Sequence, residues 1–191
     1  MRIRSFLGKY YSAYVARNVA KWKSNPIDAQ KKIFRELIEK ARDTLFGREH
    51  NFSSIRNYDD FKKQVPIRDY EGIKPYIEKI ISGERDVLWR GKPIYFAKTS
   101  GTTSGVKYIP ITSDSIGNHF YSAQTALMHY INETGNSAFM DGKMIFLSGS
   151  PELEKVGDIN TGRLSGIVNH HIPVWLRTNQ MPHYETNCIE D

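Results

Sequence analysis

One stretch of the chain limits what it can fold into more than any other. It comprises the eighteen residues from Tyr95 to Thr112 and reads YFAKTSGTTSGVKYIPIT. Residues 99–105 at its centre hold five hydroxyl side chains and two glycines, so they offer almost no apolar surface to a protein core. Both flanks are rich in β-branched and aromatic residues, which favour strands. The pattern predicts a strand, a tight polar loop and a second strand.

The composition of this loop favours the binding of phosphate. Its glycines allow a ligand to come close to the main chain, and its amides and hydroxyls supply hydrogen-bond donors. Lys107 adds a positive charge two residues after the last glycine. Donors that converge near a cation form a site for phosphate. The predicted site consists of Thr99, Ser100, Gly101, Thr102, Thr103, Ser104, Gly105 and Lys107.

The loop differs from the Walker A phosphate loop. That motif places four residues between its glycines, followed by Gly-Lys-Ser/Thr at the start of a helix. Here three residues separate Gly101 from Gly105, and a strand pattern follows. The alternative interpretation is a plain β-hairpin loop, since Gly, Ser and Thr are ordinary turn residues.

The order of residues in the loop resembles the phosphate loop of the adenylate-forming enzymes, which include acyl-CoA synthetases, luciferases and the adenylation domains of peptide synthetases. Within that superfamily, TSGTTSGVKYIPIT is most similar to the auxin-responsive acyl-acid amido synthetase family, the plant jasmonate- and auxin-conjugating enzymes and their bacterial relatives. Residues 61–80, FKKQVPIRDYEGIKPYIEKI, resemble the segment that this family carries upstream of its loop. We assign that segment a scaffold role.

The resemblance implies an ATP-dependent ligase that uses Mg²⁺ and joins a small carboxylic acid to an amino acid through an acyl-adenylate. It implies that the loop hydroxyls contact phosphate and that the two glycines shape the loop. Lys107 needs an irregular start to the second strand to reach phosphate, because in a regular strand it would share a face with Ile109 and Ile111. We further expect contacts to the acyl acid from the helix after Ser113 and from Ser148.

The family's adenine and ribose motifs and its mobile C-terminal domain have no counterpart in these residues. We therefore expect the chain to be the N-terminal portion of a longer, bacterial-type enzyme and to be inactive alone, and we assign no catalytic residue. Two alternatives stay open, namely an acyl-CoA ligase of the same superfamily and a non-catalytic basic binding module. The acyl acid, the amino acid and the oligomeric state stay unassigned.

Composition and charge indicate which partners and which cellular compartment to expect. The formal net charge is +6, but basic residues alternate with acidic ones along KKIFRELIEKARD, which is typical of a solvated helix face. We therefore expect no nucleic-acid partner. No run of eighteen apolar residues is present, so we expect no membrane partner. A single cysteine, Cys188, suits a reducing cytoplasm.

The remaining patterns predict an α/β fold, with a helical N-terminal half (residues 1–90) followed by α/β elements that include the loop (residues 91–191). Predicted helices span residues 3–23, 26–46, two segments divided by Val65-Pro66, 113–133 and 164–169. The first is expected to bury an aromatic stripe containing Phe6, Tyr10 and Tyr14. Gly47 is expected to end the second helix. A strand is predicted at residues 143–147.

The histidines do not predict a metal site. His119 and His129 lie ten residues apart, whereas metal-binding pairs on a helix are closer and have additional ligands. His170 and His171 are adjacent, so they point in different directions in any regular element. We assign no metal ligand in the chain.

Overall fold

The computed structural model describes residues 3–99, 105–172 and 177–189. The helices are α1 (Ile3–Lys23), α2 (Pro26–Ala41), α3 (Leu45–Glu49), α4 (Tyr58–Gln64), α5 (Tyr70–Ile81), α6 (Ser113–Thr134), α7 (Leu164–Asn169) and α8 (Tyr184–Asn187), with 3₁₀ turns at Phe52–Ser54 and Ala138–Asp141. The strands are β1 (Tyr95–Lys98), β2 (Tyr108–Ile111), β3 (Met144–Ile145), β4 (Glu154–Val156), β5 (Ile159–Gly162) and β6 (Gln180–Met181). The predicted α/β class is confirmed.

The chain forms two compact units, and each is discontinuous in sequence. The sheet unit comprises Pro26–Ser113 and Glu154–Thr161, and the second unit comprises Met1–Asn25, Asp114–Leu153 and Gly162–Asp191. This division cuts across the sequence ranges 1–90 and 91–191, since the hairpin of β4 and β5 lies in the sheet unit. Among the described residues, no helix is both long enough and apolar enough to cross a membrane.

The sheet unit is built around a four-stranded sheet in the order β2-β1-β5-β4. β1 and β2 are antiparallel, with Tyr95 opposite Ile111 and Lys98 opposite Tyr108. The main core consists of buried side chains from α5, β1, β5 and the segment between α5 and β1, namely Tyr76, Ile77, Ile80, Val87, Phe96 and Ile159. A second cluster joins Ile38 and Ala41 of α2 to Phe52 and Ile55.

The prediction of one helix from residue 26 to residue 46 is wrong, because the chain breaks between α2 and α3. The Thr44 hydroxyl donates to the Ala41 carbonyl at 2.7 Å and accepts from the Gly47 amide at 3.0 Å, which is N-cap geometry. Gly47 therefore lies inside α3 rather than ending α2. A side chain there would collide with the Ala41 carbonyl oxygen.

The break at Val65-Pro66 is confirmed, since α4 ends at Gln64 and α5 begins at Tyr70. Asp69 caps α5, and its carboxylate accepts a hydrogen bond from the Gly72 amide at 3.0 Å. The helix continues through Pro75. The capping residue and the proline restriction are both local signals, which explains why the sequence predicted this boundary.

The bounds predicted for α1 are confirmed, but the face predicted to be buried is wrong. Phe6, Tyr10 and Tyr14 are exposed, whereas the buried residues of α1 are Ser5, Gly8 and Ser12. The Ser5 hydroxyl donates to the Ser137 carbonyl at 3.0 Å. Gly8 lies against the Met140 side chain, which would have to shift to admit a methyl group. Small residues, rather than an aromatic stripe, therefore form the buried face of this helix.

The remaining elements of the second unit agree with the sequence in part. α6 and α7 occur where they are predicted, whereas the strand predicted at residues 143–147 is only the two-residue β3, which pairs in parallel with β6. One further bond, from the Phe146 amide to the Met181 carbonyl at 2.8 Å, extends this ladder. Ile145 and Leu147 are exposed, so apolar composition alone overestimated the strand.

Candidate functional site

The two predicted strands that flank the loop are confirmed, and their ends are joined by backbone hydrogen bonds. β1 and β2 pair in register up to Lys98 and Tyr108. One residue further along β1, the Thr99 amide donates to the Lys107 carbonyl at 3.1 Å. The two described ends of the loop are therefore joined by a hydrogen bond.

The structure describes only part of the predicted phosphate site. Thr99, Gly105 and Lys107 are described, and all three lie at the base of the loop. The other predicted ligands, Ser100, Gly101, Thr102, Thr103 and Ser104, lie outside the described residues, and their role stays a prediction.

The described ends of the loop are open to solvent. Thr99 and Gly105 are both exposed. Gly105 has a φ of 78°, and a methyl group placed on it would have nothing within 4 Å. Glycine is favoured there because other residues rarely adopt positive φ. Among the described residues, no side chain is packed over the main chain at Gly105.

Lys107 lies before β2 rather than within it, since that strand begins at Tyr108. The Lys107 carbonyl nevertheless accepts from the Thr99 amide, so the backbone at Lys107 continues the ladder by one residue. The Lys107 ammonium lies over the ring of Tyr70, with Nζ 5.6 Å from the ring centroid, within the range of a cation–π interaction. That Lys107 reaches phosphate stays a prediction.

The neighbouring lysine of β1 has a different partner. Lys98 forms an ion pair with Glu154 of β4, with 2.9 Å between Nζ and the carboxylate. This pair links a loop-flanking strand to the far strand of the sheet. Because the Lys98 charge is already balanced, Lys107 is the better placed of the two lysines to meet an anion at the loop.

Sequence reasoning missed Tyr70 as a neighbour of the loop. This residue begins α5, and its hydroxyl oxygen accepts a hydrogen bond from the Tyr108 amide at 2.9 Å. The two tyrosines are 38 positions apart, so no local pattern connects them. The only sequence signal that connects the two segments is that residues 61–80 and the loop both resemble the same family.

A second polar loop, residues 148–151 of the second unit, follows β3 and is held by α7. The Ser148 hydroxyl accepts a hydrogen bond from the Asn169 side chain at 2.7 Å, and the Gly149 amide donates to the Ser165 hydroxyl at 2.9 Å. His170 Nε2 donates to the Pro151 carbonyl at 2.6 Å. Ser148, expected to contact the acyl acid, is therefore held in place by a buried amide side chain.

The adjacent histidines differ in their surroundings. His170 is hydrogen-bonded to the Pro151 carbonyl, and its ring is in an edge-on arrangement with the Tyr184 ring, with 6.2 Å between the ring centroids. Burial lowers the pKa of His171, and the nearby His170 and Arg177 lower it further because they disfavour a second positive charge. Among residues 3–99, 105–172 and 177–189, no group of three or more His, Cys, Asp or Glu side chains is arranged to hold a metal ion.

Comparison with known proteins relates this arrangement to one family. The model of the GH3 family N-terminal domain matches residues 15–190. The indole-3-acetic acid-amido synthetase GH3.15 of Arabidopsis thaliana is 31% identical over 140 residues, which cover 69% of this chain and 23% of that protein. The indole-3-acetic acid-amido synthetase GH3.3 of the same plant is 31% identical over 86 residues, which cover 44% of this chain and 14% of that protein.

The fold is likewise similar to a solved structure. The structure of the GH3.15 acyl acid amido synthetase superposes with a TM-score of 0.77 at 18% sequence identity, covering 94% of this chain and 32% of that one. The chain thus spans about a third of the length of the solved relative and less than a quarter of the curated relatives named above. The superposition supports the described architecture of both units.

Proposed function

Since the chain belongs to the GH3 family, we propose that it is the N-terminal part of an ATP-dependent acyl-acid amido synthetase. The enzyme would activate a small carboxylic acid with ATP and transfer the acyl group to an amino acid. The observation that carries the proposal is the hydrogen-bonded β1–β2 base with its exposed Thr99 and Gly105, in a chain that the family's N-terminal domain model matches over residues 15–190. A cytoplasmic location and a single reduced cysteine, Cys188, are part of this proposal.

The chemistry requires two transfers. A carboxylate is a poor electrophile, because its oxygen is a poor leaving group. In the first transfer a carboxylate oxygen forms a bond to the α-phosphorus of ATP while the bond to pyrophosphate breaks. In the second, the amino acid nitrogen forms a bond to the acyl carbon, the bond to AMP breaks, and the amine gives up a proton. The products are an amide, AMP and pyrophosphate.

The first transfer brings a negatively charged carboxylate close to a polyanion, and this repulsion must be offset. In the proposed site the loop amides, the loop hydroxyls and the Lys107 ammonium would face the phosphates. Hydrogen bonds to charged groups contribute about 1.5–3 kcal/mol each, so three or four of them would hold a triphosphate strongly. Donors fixed in advance stabilise developing charge without reorganisation. The loop would therefore both bind the nucleotide and favour the transfer.

Mg²⁺ fits this scheme as an ion that arrives with the nucleotide. It commonly keeps several waters and takes one or two carboxylates together with substrate phosphates. When bound, the ion would neutralise part of the phosphate charge.

Substitution of Thr102 tests the role of the loop. In the full-length enzyme we expect Thr102→Val to slow acid-dependent ATP–pyrophosphate exchange by about tenfold or more, which corresponds to about 1.4 kcal/mol. The reason is that valine keeps the shape of threonine but removes its hydroxyl. Thr186→Val is the matched control, because Thr186 is exposed on the short helix α8. Unchanged exchange in Thr102→Val would contradict the phosphate role.

A second assay separates the competing functions. Hydroxylamine first traps the activated acid, and turnover of ATP is then compared with an amino acid or coenzyme A as acceptor. Acceleration of ATP turnover by amino acids and not by coenzyme A supports the amido synthetase. Acceleration by coenzyme A alone would instead assign an acyl-CoA ligase. A non-catalytic basic module would show no exchange, and its attraction for ATP would fall steeply with salt.

A further inference from the structure

The first amide of β2 faces the outer edge of the sheet. The Lys107 carbonyl accepts from Thr99 and so faces β1. Because backbone groups of successive strand residues point to opposite sides, the Tyr108 amide points away from β1. β2 is the end strand of the sheet, so no strand satisfies that amide. The Tyr70 hydroxyl accepts its hydrogen bond at 2.9 Å.

Tyr70 is itself held firmly. It is the first residue of α5, directly after the capping residue Asp69. Its ring packs against the main core cluster of the sheet unit. The preceding Arg68 donates hydrogen bonds to His50 at 3.0 Å and to the Tyr76 hydroxyl at 3.3 Å. The Tyr70 hydroxyl therefore lies at a helix end that is held by core packing of the Tyr70 ring and by the hydrogen bonds of Arg68.

The same tyrosine also contacts the cation at the end of the loop. Lys107 Nζ lies 5.6 Å from the Tyr70 ring centroid, and Lys107 precedes the amide that the Tyr70 hydroxyl binds. One side chain thus fixes the backbone with its hydroxyl and the ammonium with its ring. Both contacts are at the position where the chain leaves the loop and enters β2.

We propose that Tyr70 is a positioning residue for ATP. It fixes the backbone where the chain leaves the phosphate loop, and it places the Lys107 ammonium. This inference rests on the proposed function and deepens it, because it assigns a role in nucleotide binding to the segment upstream of the loop. Tyr70 touches no reacting atom and acts through Tyr108 and Lys107. Its loss should therefore weaken the binding of ATP while leaving the binding of the carboxylic acid unchanged.

Two substitutions in the full-length enzyme separate the two contacts. Tyr70→Phe removes the hydroxyl and keeps the ring, and we expect KM for ATP to rise by about three- to tenfold, the range of one lost hydrogen bond. Tyr70→Leu removes both contacts, and KM for ATP should rise further. Tyr58→Phe is the control, because Tyr58 lies exposed on α4. KM for the carboxylic acid should stay within about twofold in all three variants.

Amide hydrogen exchange tests the inference without nucleotide. The Tyr108 amide should be protected in the parent protein and should exchange about tenfold or more faster in Tyr70→Phe, because its acceptor is gone. An unprotected Tyr108 amide in the parent, or equal exchange in the variant, would overturn the inference. Equal increases in KM for both substrates would also overturn it, since that result indicates general destabilisation.

The outcomes separate this inference from the proposed function. If the parent enzyme shows no acid-dependent ATP–pyrophosphate exchange, the proposed function fails, and with it the role of Tyr70 in ATP binding. If the parent exchanges normally and Tyr70→Phe keeps the parental KM for ATP, the proposed function stands and the role of Tyr70 is rejected.

Discussion

Replacing Phe96 with alanine should lower the free energy of unfolding by about 3–5 kcal/mol, the range for large aromatic residues removed from cores. Phe96 lies on β1 and is fully buried, with 0% of its surface exposed. Its ring packs near the Tyr108 ring, with 5.8 Å between centroids, and the space left by truncation would lie between the sheet and α5. Urea unfolding followed by circular dichroism measures the loss.

The control for Phe96→Ala is an apolar residue that contacts little. Ile67 is fully exposed in the segment between α4 and α5, and Ile67→Ala should change the free energy of unfolding by less than about 0.5 kcal/mol. Because Phe96 lies three residues before Thr99, loss of its packing should also loosen the base of the loop. Similar unfolding midpoints for the two variants would contradict the assignment of Phe96 to the core.

Replacing Gly157 with alanine should lower the free energy of unfolding by about 2–4 kcal/mol, for two reasons that add. Gly157 joins β4 to β5 with a φ of 63°, which disfavours any residue with a Cβ. In addition, a methyl group there would lie 2.5 Å from the Ile81 carbonyl oxygen at the end of α5. The hairpin would have to move away from the helix that covers the sheet.

A matched glycine separates conformational strain from collision. Gly91 lies in the same unit with a φ of 72°, and a methyl group on it would meet only the Arg85 side chain at 3.8 Å, an ordinary contact. Gly91→Ala should therefore lower the free energy of unfolding by only about 1–2 kcal/mol, the strain alone. Equal losses in the two variants would show that the Ile81 carbonyl does not restrict the turn.

An ion pair lies next to Gly157 and could also contribute to the stability of this hairpin. Asp158, next to Gly157, forms an ion pair with Lys92 at 2.7 Å, and this lysine lowers the pKa of the Asp158 carboxyl through a hydrogen bond and its charge. The Asp158 side chain is 61% exposed and the Lys92 side chain 27% exposed, so solvent screens this pair and it should contribute little to stability. We therefore expect the backbone contact at Gly157, rather than the ion pair, to dominate the effect of substitutions in this hairpin.

Much of the local structure followed from the sequence, and the reasons are local. The polar loop between apolar flanks predicted the β1–β2 hairpin, Val65-Pro66 predicted the break before α5, and residues 164–169 form α7 as predicted. Each of these signals lies within a few residues of its effect. The loop sequence also supported the resemblance to the family to which the chain belongs.

Features that depend on distant contacts could not be read from the sequence. The aromatic spacing of α1 indicated a buried stripe, yet the structure buries the small residues Ser5, Gly8 and Ser12. Helical periodicity identifies a helix but not which face finds a partner. In the same way, Thr44 as an N-cap and Gly47 as a close contact outweighed the apolar pattern that predicted one long helix.

The sequence alone determined that the protein has a hydroxyl-rich loop between two strands, since seven polar and flexible residues cannot join a core. Only the tertiary structure decided which residues lie beside the described ends of that loop. It brought Tyr70 to Tyr108 and Lys107, and it paired Lys98 with Glu154. These partners are separated by 37 to 56 positions along the chain, so packing of α5 and β4 around the hairpin, rather than any local pattern, selects them.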